Sequence, residues 1–227
     1  MKRFLSIIVL LAFVLSSGSS LAEVKTMEGD FSIRGGIEFG MSMEKVKAIE
    51  PGSGTGSMSD GKSKGGLLYL LYGGYDSIAG IPCVGVNGGQ IIYFFSDPDD
   101  ALTEIEYRFG YYTTNYEEYY QELCDNLAQK YGTPFNSDVN SVFSGASYDL
   151  ADMLRVSIFQ LENVNEWIVS YKDYYVVIDA YMYYAKQDKE HMLYLGYKWL
   201  SLDDMSRVKD EIELKEERKT QEVQNDL

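Results

Sequence analysis

The sequence predicts an α+β fold of two tandem units, each a helix followed by an antiparallel meander. The helices pack on one side of the sheet, and a further helix closes the chain. Three observations predict this. Thr113 to Pro134, TTNYEEYYQELCDNLAQKYGTP, carries Tyr116, Tyr120, Leu123, Leu127 and Tyr131 at helical spacing, so it reads as one long amphipathic helix. Short strand-like runs flank it on both sides. Tyr is frequent, at 20 of 227 residues, and with Val and Ile it favours half-buried pleated surfaces.

Residues 1–22 read as an export signal. Lys2 and Arg3 form its basic start, Phe4 to Leu15 its apolar core, and Ser20-Leu21-Ala22 a small-x-small cleavage site, with Ala22 and Glu23 flanking the cut. The apolar run is shorter than the ~20 residues a membrane span needs. Residues 23–30 are a loose mature N-terminus, 31–110 the first helix/meander unit, 111–200 the second, and 201–227 a C-terminal helix with a frayed tail.

In the first unit, Ser42 is the N-cap of a short helix from Met43 to about Ile49, with Met43, Val46 and Ile49 inward and Pro51-Gly52 as its stop. Pro51 to Gly66 has the Gly/Ser content of a flexible loop. It lacks the following helix that a phosphate-binding loop requires. Strands are expected over Leu67–Tyr72, Ser77–Val86, Gln90–Ser96 and Leu102–Phe109, with Asn87-Gly88-Gly89 as a hairpin turn. A sheet buried on one face fits these runs best.

Thr114 and Glu117 have capping-box spacing at the start of the long helix, and Gly132 and Pro134 end it. Strands then follow around 153–159, over Glu166–Tyr171, Tyr174–Tyr184 and Met192–Trp199. Ser201 and Asp204 can cap a last helix to Leu214.

Phe39-Gly40-Met41-Ser42 followed by Val46 resembles the F-G-M-[ST]-x-x-x-V signature of the β-lactamase-inhibitor-protein-like fold. That group includes small outer-membrane lipoproteins of the barrel-assembly machinery. The Phe31–Glu50 stretch is also similar to uncharacterised secreted proteins of gut-type Gram-positive bacteria. The resemblance implies short helices on an antiparallel meander, sometimes in tandem. It implies nothing about inhibition or barrel assembly, since function resides in sites and not in folds. A long Gly/Ser loop replaces the tight turn that follows the motif in the family, and the second unit begins TTNYEEYY, without the motif.

The charge of −15 falls to −17 once the leader takes away Lys2 and Arg3. Such a surface repels phosphate backbones, so nucleic acid and anionic membranes are poor partners. Cys83 and Cys124 permit one disulfide in an exported chain, or serve as two small buried hydrophobes.

No residue set marks a cofactor, metal or catalytic site. His191 is the one His, and no nucleophile context accompanies it. Asp97, Asp99, Asp100 and Glu104 lack the EF-hand glycine, with Leu102 in its place, and read as turn residues. Glu104/Glu106 and Asp149/Asp152 are carboxylate pairs of the kind glycoside hydrolysis uses, though an acidic chain offers many such pairs. The Tyr doublets are the most suggestive feature. Tyr111, Tyr112, Tyr174 and Tyr183 are candidate contacts with a protein or glycan partner, because exposed Tyr supplies contact area at low entropic cost. The expected function is a secreted or periplasmic, non-catalytic binding module. An extracellular hydrolase working through paired carboxylates and an envelope-assembly protein are the alternatives.

Overall fold

The computed structural model describes residues 24–29, 31–50, 58–63, 67–85, 88–96, 99–135, 159–186 and 189–206. The expected leader with its cut between Ala22 and Glu23, Asp97, the pair Asp149/Asp152, the expected strand over 153–158 and the expected helix beyond 206 lie outside these residues. In chain order the elements are β1 (Lys25–Thr26), α1 (Met43–Ile49), β2 (Met58–Lys62), β3 (Leu68–Tyr75), β4 (Ser77–Ile78), β5 (Ile81–Pro82), β6 (Gly89–Ser96), β7 (Ala101–Tyr112), α2 (Tyr116–Tyr131), β8 (Phe159–Ser170), β9 (Tyr175–Ala185) and β10 (Glu190–Leu200). A helical turn follows at 202–206, with Ser201 Oγ accepting from the Asp204 amide at 3.1 Å.

This architecture overturns the α+β expectation. The protein is mostly β, and it is not a pair of tandem helix-plus-meander units. One eight-stranded mixed sheet runs β1-β8-β9-β10-β7-β6-β3-β2, with β1 parallel to β8 and the other neighbours antiparallel. The physical reason is the length of β7 and β10. They pair from Tyr112 with His191 to Glu104 with Lys198, which leaves no seam between the two ribbons. α1 has seven residues and buries only Val46, too little to form a layer of its own.

Three local readings also change. β2 lies within the stretch read as a flexible loop and pairs with β3 as an edge strand. The run from Ser77 splits into β4 and β5, a separate small hairpin turning at Ala79-Gly80, and β6 pairs with β3 instead. The cap of α2 is Asn115 in the left-handed conformation, not Thr114 with Glu117. Both faces of the sheet are buried: one carries the main core, the other a smaller cluster of Val164, Tyr181, Tyr183, Met192 and Tyr194.

α2 lies on β8–β10 through Tyr120, Leu123, Cys124, Leu127 and Tyr131. Polar contacts fix its seat. Tyr120 donates to the Ala180 carbonyl at 3.2 Å, Asn165 donates to the Tyr120 hydroxyl at 2.9 Å, and the Trp167 indole donates to the Gly132 carbonyl at 2.8 Å. No helix among the described residues is long and apolar enough to cross a membrane.

Bulges set which residues face α2. Between Phe94 and Phe95 the β6–β7 register shifts, so Leu102 and Ile105 both enter the core although their spacing breaks strict alternation. A second shift lies where β7 meets β10, around Gly110, whose φ is +101°. A Cβ there would overlap the Val84 carbonyl oxygen, which bridges to this strand. Gly110→Ala is therefore expected to cost about 3 kcal/mol or more, read as a shifted urea midpoint with an unchanged slope.

Candidate functional site

α2 and the sheet line a half-open cavity of about 610 Å³. The helix contributes Leu123, Asn126, Leu127, Lys130 and Tyr131, at the spacing of one face. The sheet contributes Tyr75 from β3, Tyr107 from β7, and Leu195 and Tyr197 from β10. The loop before α1 supplies Ile33, Arg34 and Gly35, and the β4–β5 hairpin supplies Ser77, Ile78 and Ala79.

A buried network orients the cationic side of this cavity. Glu50, 7 % exposed, accepts from the Tyr75 hydroxyl at 3.0 Å and from the Tyr93 hydroxyl. Arg34 Nη2 lies 3.4 Å from Glu50 Oε1, and its guanidinium sits 5.1 Å over the Tyr75 ring. Three donors thus offset the cost of burying this carboxylate. Burial holds Tyr75, Tyr107, Tyr131 and Tyr197 well above the usual phenol range, so each keeps its proton and can donate. The Tyr131 and Tyr197 hydroxyls lie beside each other without a well-formed bond.

The opposite face holds a row of acids. Register places Glu166 on β8 opposite Asp179 on β9, Asp179 opposite Gly196 on β10, and Gly196 opposite Glu106 on β7. Glu104 follows two residues along on the same face, opposite Lys198. All four carboxylates are at most 5 % exposed. Arg108 pairs with Glu106 Oε2 at 2.9 Å. Glu106 Oε1, Asp179 Oδ1 and the Tyr183 hydroxyl have no hydrogen-bond partner among the described residues. Burial, then the Glu106 charge, pushes Glu104 up to about 8. Burial, then Glu166 and Glu104, pushes Asp179 well above the carboxylate range, while Lys198 pulls the other way.

The residues singled out from sequence fall as follows. Tyr111 is exposed at 41 %, whereas Tyr112 and Tyr183 are buried. Tyr112 donates to the Pro82 carbonyl at 2.5 Å, and the Tyr174 hydroxyl accepts from the Phe31 amide at 2.8 Å while its ring stacks on Tyr171. The four tyrosines thus share no exposed face. Cys83 and Cys124 are free thiols, each pushed up to about 11 by burial. His191 stacks on Tyr116 and meets Glu162, the extra residue of a β8 bulge, at 3.0 Å. Asp100 accepts from the Met43 amide at the start of α1. No group of three His, Cys, Asp or Glu side chains among the described residues is arranged to hold a metal ion.

Sequence reasoning paired Glu104 with Glu106 and missed Glu166, Asp179, Arg34 and Lys130. Asp179 did leave a signal, as the one acid inside the apolar run YVVIDAYMYYA. Compared with known proteins, the chain matches no family model, none of the curated proteins and no solved structure.

The acid row makes stability depend on pH. Folded, Glu104 keeps its proton to about pH 8, while the unfolded chain releases it near 4.5. The folded state binds the extra proton between these values, so its contribution is full below about 4.5 and is lost as pH rises toward 8. Asp179 acts in the same sense. Glu104→Gln cannot titrate, so the parent is expected to lose melting temperature relative to this variant across that window, measured by circular dichroism.

Proposed function

We propose that this chain is an exported, non-catalytic binding module that takes a group of a protein or glycan partner into the cavity beneath α2. The single observation that carries this reading is the cavity itself. Its volume lies within the range of small-ligand sites, roughly 300–1,000 Å³, and four tyrosines share its walls with aliphatic side chains. Tyr offers a flat apolar face together with a hydroxyl, the combination that suits recognition without bond-breaking.

The export signal at residues 1–22 supports a site of action outside the cytoplasm. The buried acids favour a hydrolase less. Burial raises the pKa values of Glu104 and Asp179 in the manner of catalytic acids, yet none of the four acids of the row lines the cavity in which a substrate would sit.

Asn126 is an exposed helical residue on the cavity rim. Asn126→Trp is expected to fill the mouth and abolish binding on arrays of glycans and of secreted or envelope proteins, with the melting temperature unchanged. Retained binding by this variant would place recognition elsewhere. N-terminal sequencing of the protein from medium or envelope is expected to begin at Glu23; an intact Met1 would remove the export argument.

A further inference from the structure

The charge lining the cavity is opposite to that of the chain. The protein carries −15 overall, yet the charged side chains that line the cavity are Arg34 and Lys130, with no carboxylate among the lining residues. Glu50 lies behind Arg34, its side chain fully buried and engaged by Arg34, Tyr75 and Tyr93. Counted together, Arg34, Lys130 and Glu50 leave one net positive charge. Lys130 stands 4.9 Å over the Tyr131 ring, and no described carboxylate forms an ion pair with it. Partial burial lowers its pKa. Lys25, which does not line the cavity, donates to the Lys130 carbonyl at 2.6 Å at the same helix end. This arrangement fits one negative charge on the ligand.

The rest of the lining fits a ring that bears hydroxyls. Tyr107, Tyr131 and Tyr197 form a largely buried aromatic wall, with Tyr107 and Tyr197 packed edge to face and Lys130 over the Tyr131 ring, and the exposed Asn126 and Ser77 supply donors and acceptors beside it. A plain alkyl carboxylate would leave these polar groups unmatched, at a cost in affinity. A peptide adding as a strand would need an open sheet edge. The strands lining the cavity floor, β3, β7 and β10, are each paired on both sides.

We propose that the cavity binds a uronate, the carboxylate-bearing sugar of an acidic glycan, with the carboxylate at Lys130 and the ring against the tyrosine-lined wall. This rests on the binding-module reading above and names its ligand class. Lys130 is the residue to test. Removing Arg34 would strand the buried Glu50, whereas Lys130→Gln leaves no described acid unpaired.

The test is calorimetric titration of the purified protein with digalacturonate, a neutral disaccharide, acetate and inorganic phosphate, on the parent, Lys130→Gln, Lys130→Arg and Asn126→Trp. Digalacturonate is expected to bind at least tenfold more tightly than the neutral disaccharide. Lys130→Gln should erase that preference, Lys130→Arg should keep most of it, and Asn126→Trp should remove binding. Thermal melts check that each variant is folded. Equal affinity for acidic and neutral sugars, no binding of digalacturonate at millimolar concentration, or competition by acetate or phosphate as strong as by the diuronide would overturn the inference. A neutral sugar that binds and is blocked by Asn126→Trp would overturn the uronate while the binding-module reading stands. Digalacturonate binding untouched by Asn126→Trp would overturn both.

Discussion

The pairing of β7 with β10 is the constraint on which the rest depends. These central strands carry Ile105, Tyr107, Leu193 and Leu195 toward α2, and Glu104, Glu106 and Tyr194 to the other face. Side chains alternate along a strand, so a slip of one residue would bring the carboxylates under the helix and turn the apolar set away. The bulges in β7 hold that register. One keeps Leu102 and Ile105 on the same side, and the other, at Gly110, lets the Val84 carbonyl approach the backbone.

Once the register is set, the two faces acquire opposite characters. Under α2, the buried acid, Glu50, has three donors, and the cavity beside it is left with a cationic rim. On the far face the described carboxylates outnumber the described cations, Arg108 and Lys198, and polar atoms lack partners among the described residues. The first arrangement is charge-matched and open to a ligand. The second is sealed, and it resolves its excess charge by holding protons.

The long helix was legible because its period repeats over sixteen residues and Gly132 marks its end. Its cap was misread because Thr114 and Asn115 are both good cap residues, and only the backbone turn at Asn115 decides between them. Asn87 lies outside the described residues, although the Gly88 amide donates to the Gly85 carbonyl across it; the Ser77 run also reverses at Ala79-Gly80, and β6 pairs with β3. β2 reads MSDGK, with no alternation to find, and becomes a strand only because β3 offers it an edge. The uneven spacing of Leu102, Ile105 and Tyr107 was itself the trace of a bulge. The acid row and the cavity were hidden for a different reason. Each draws single residues from distant elements, and only the fold brings Glu166, Asp179 and Glu106 into line, or sets Arg34 and Lys130 on the wall of one cavity.

The outermost strands have a consequence for life at high concentration. A broad, Tyr- and Val-rich sheet offers backbone for neighbouring molecules to zip onto. Here one border is β1, only two residues long, and the other is β2, where Asp60 and Lys62 flank Gly61. Asp60 and Lys62 discourage such zipping at the β2 margin, whereas β1 covers only Val169 and Ser170, so among the described residues the rest of β8 relies on its own polar residues, Gln160, Glu162, Asn163 and Asn165, to do the same.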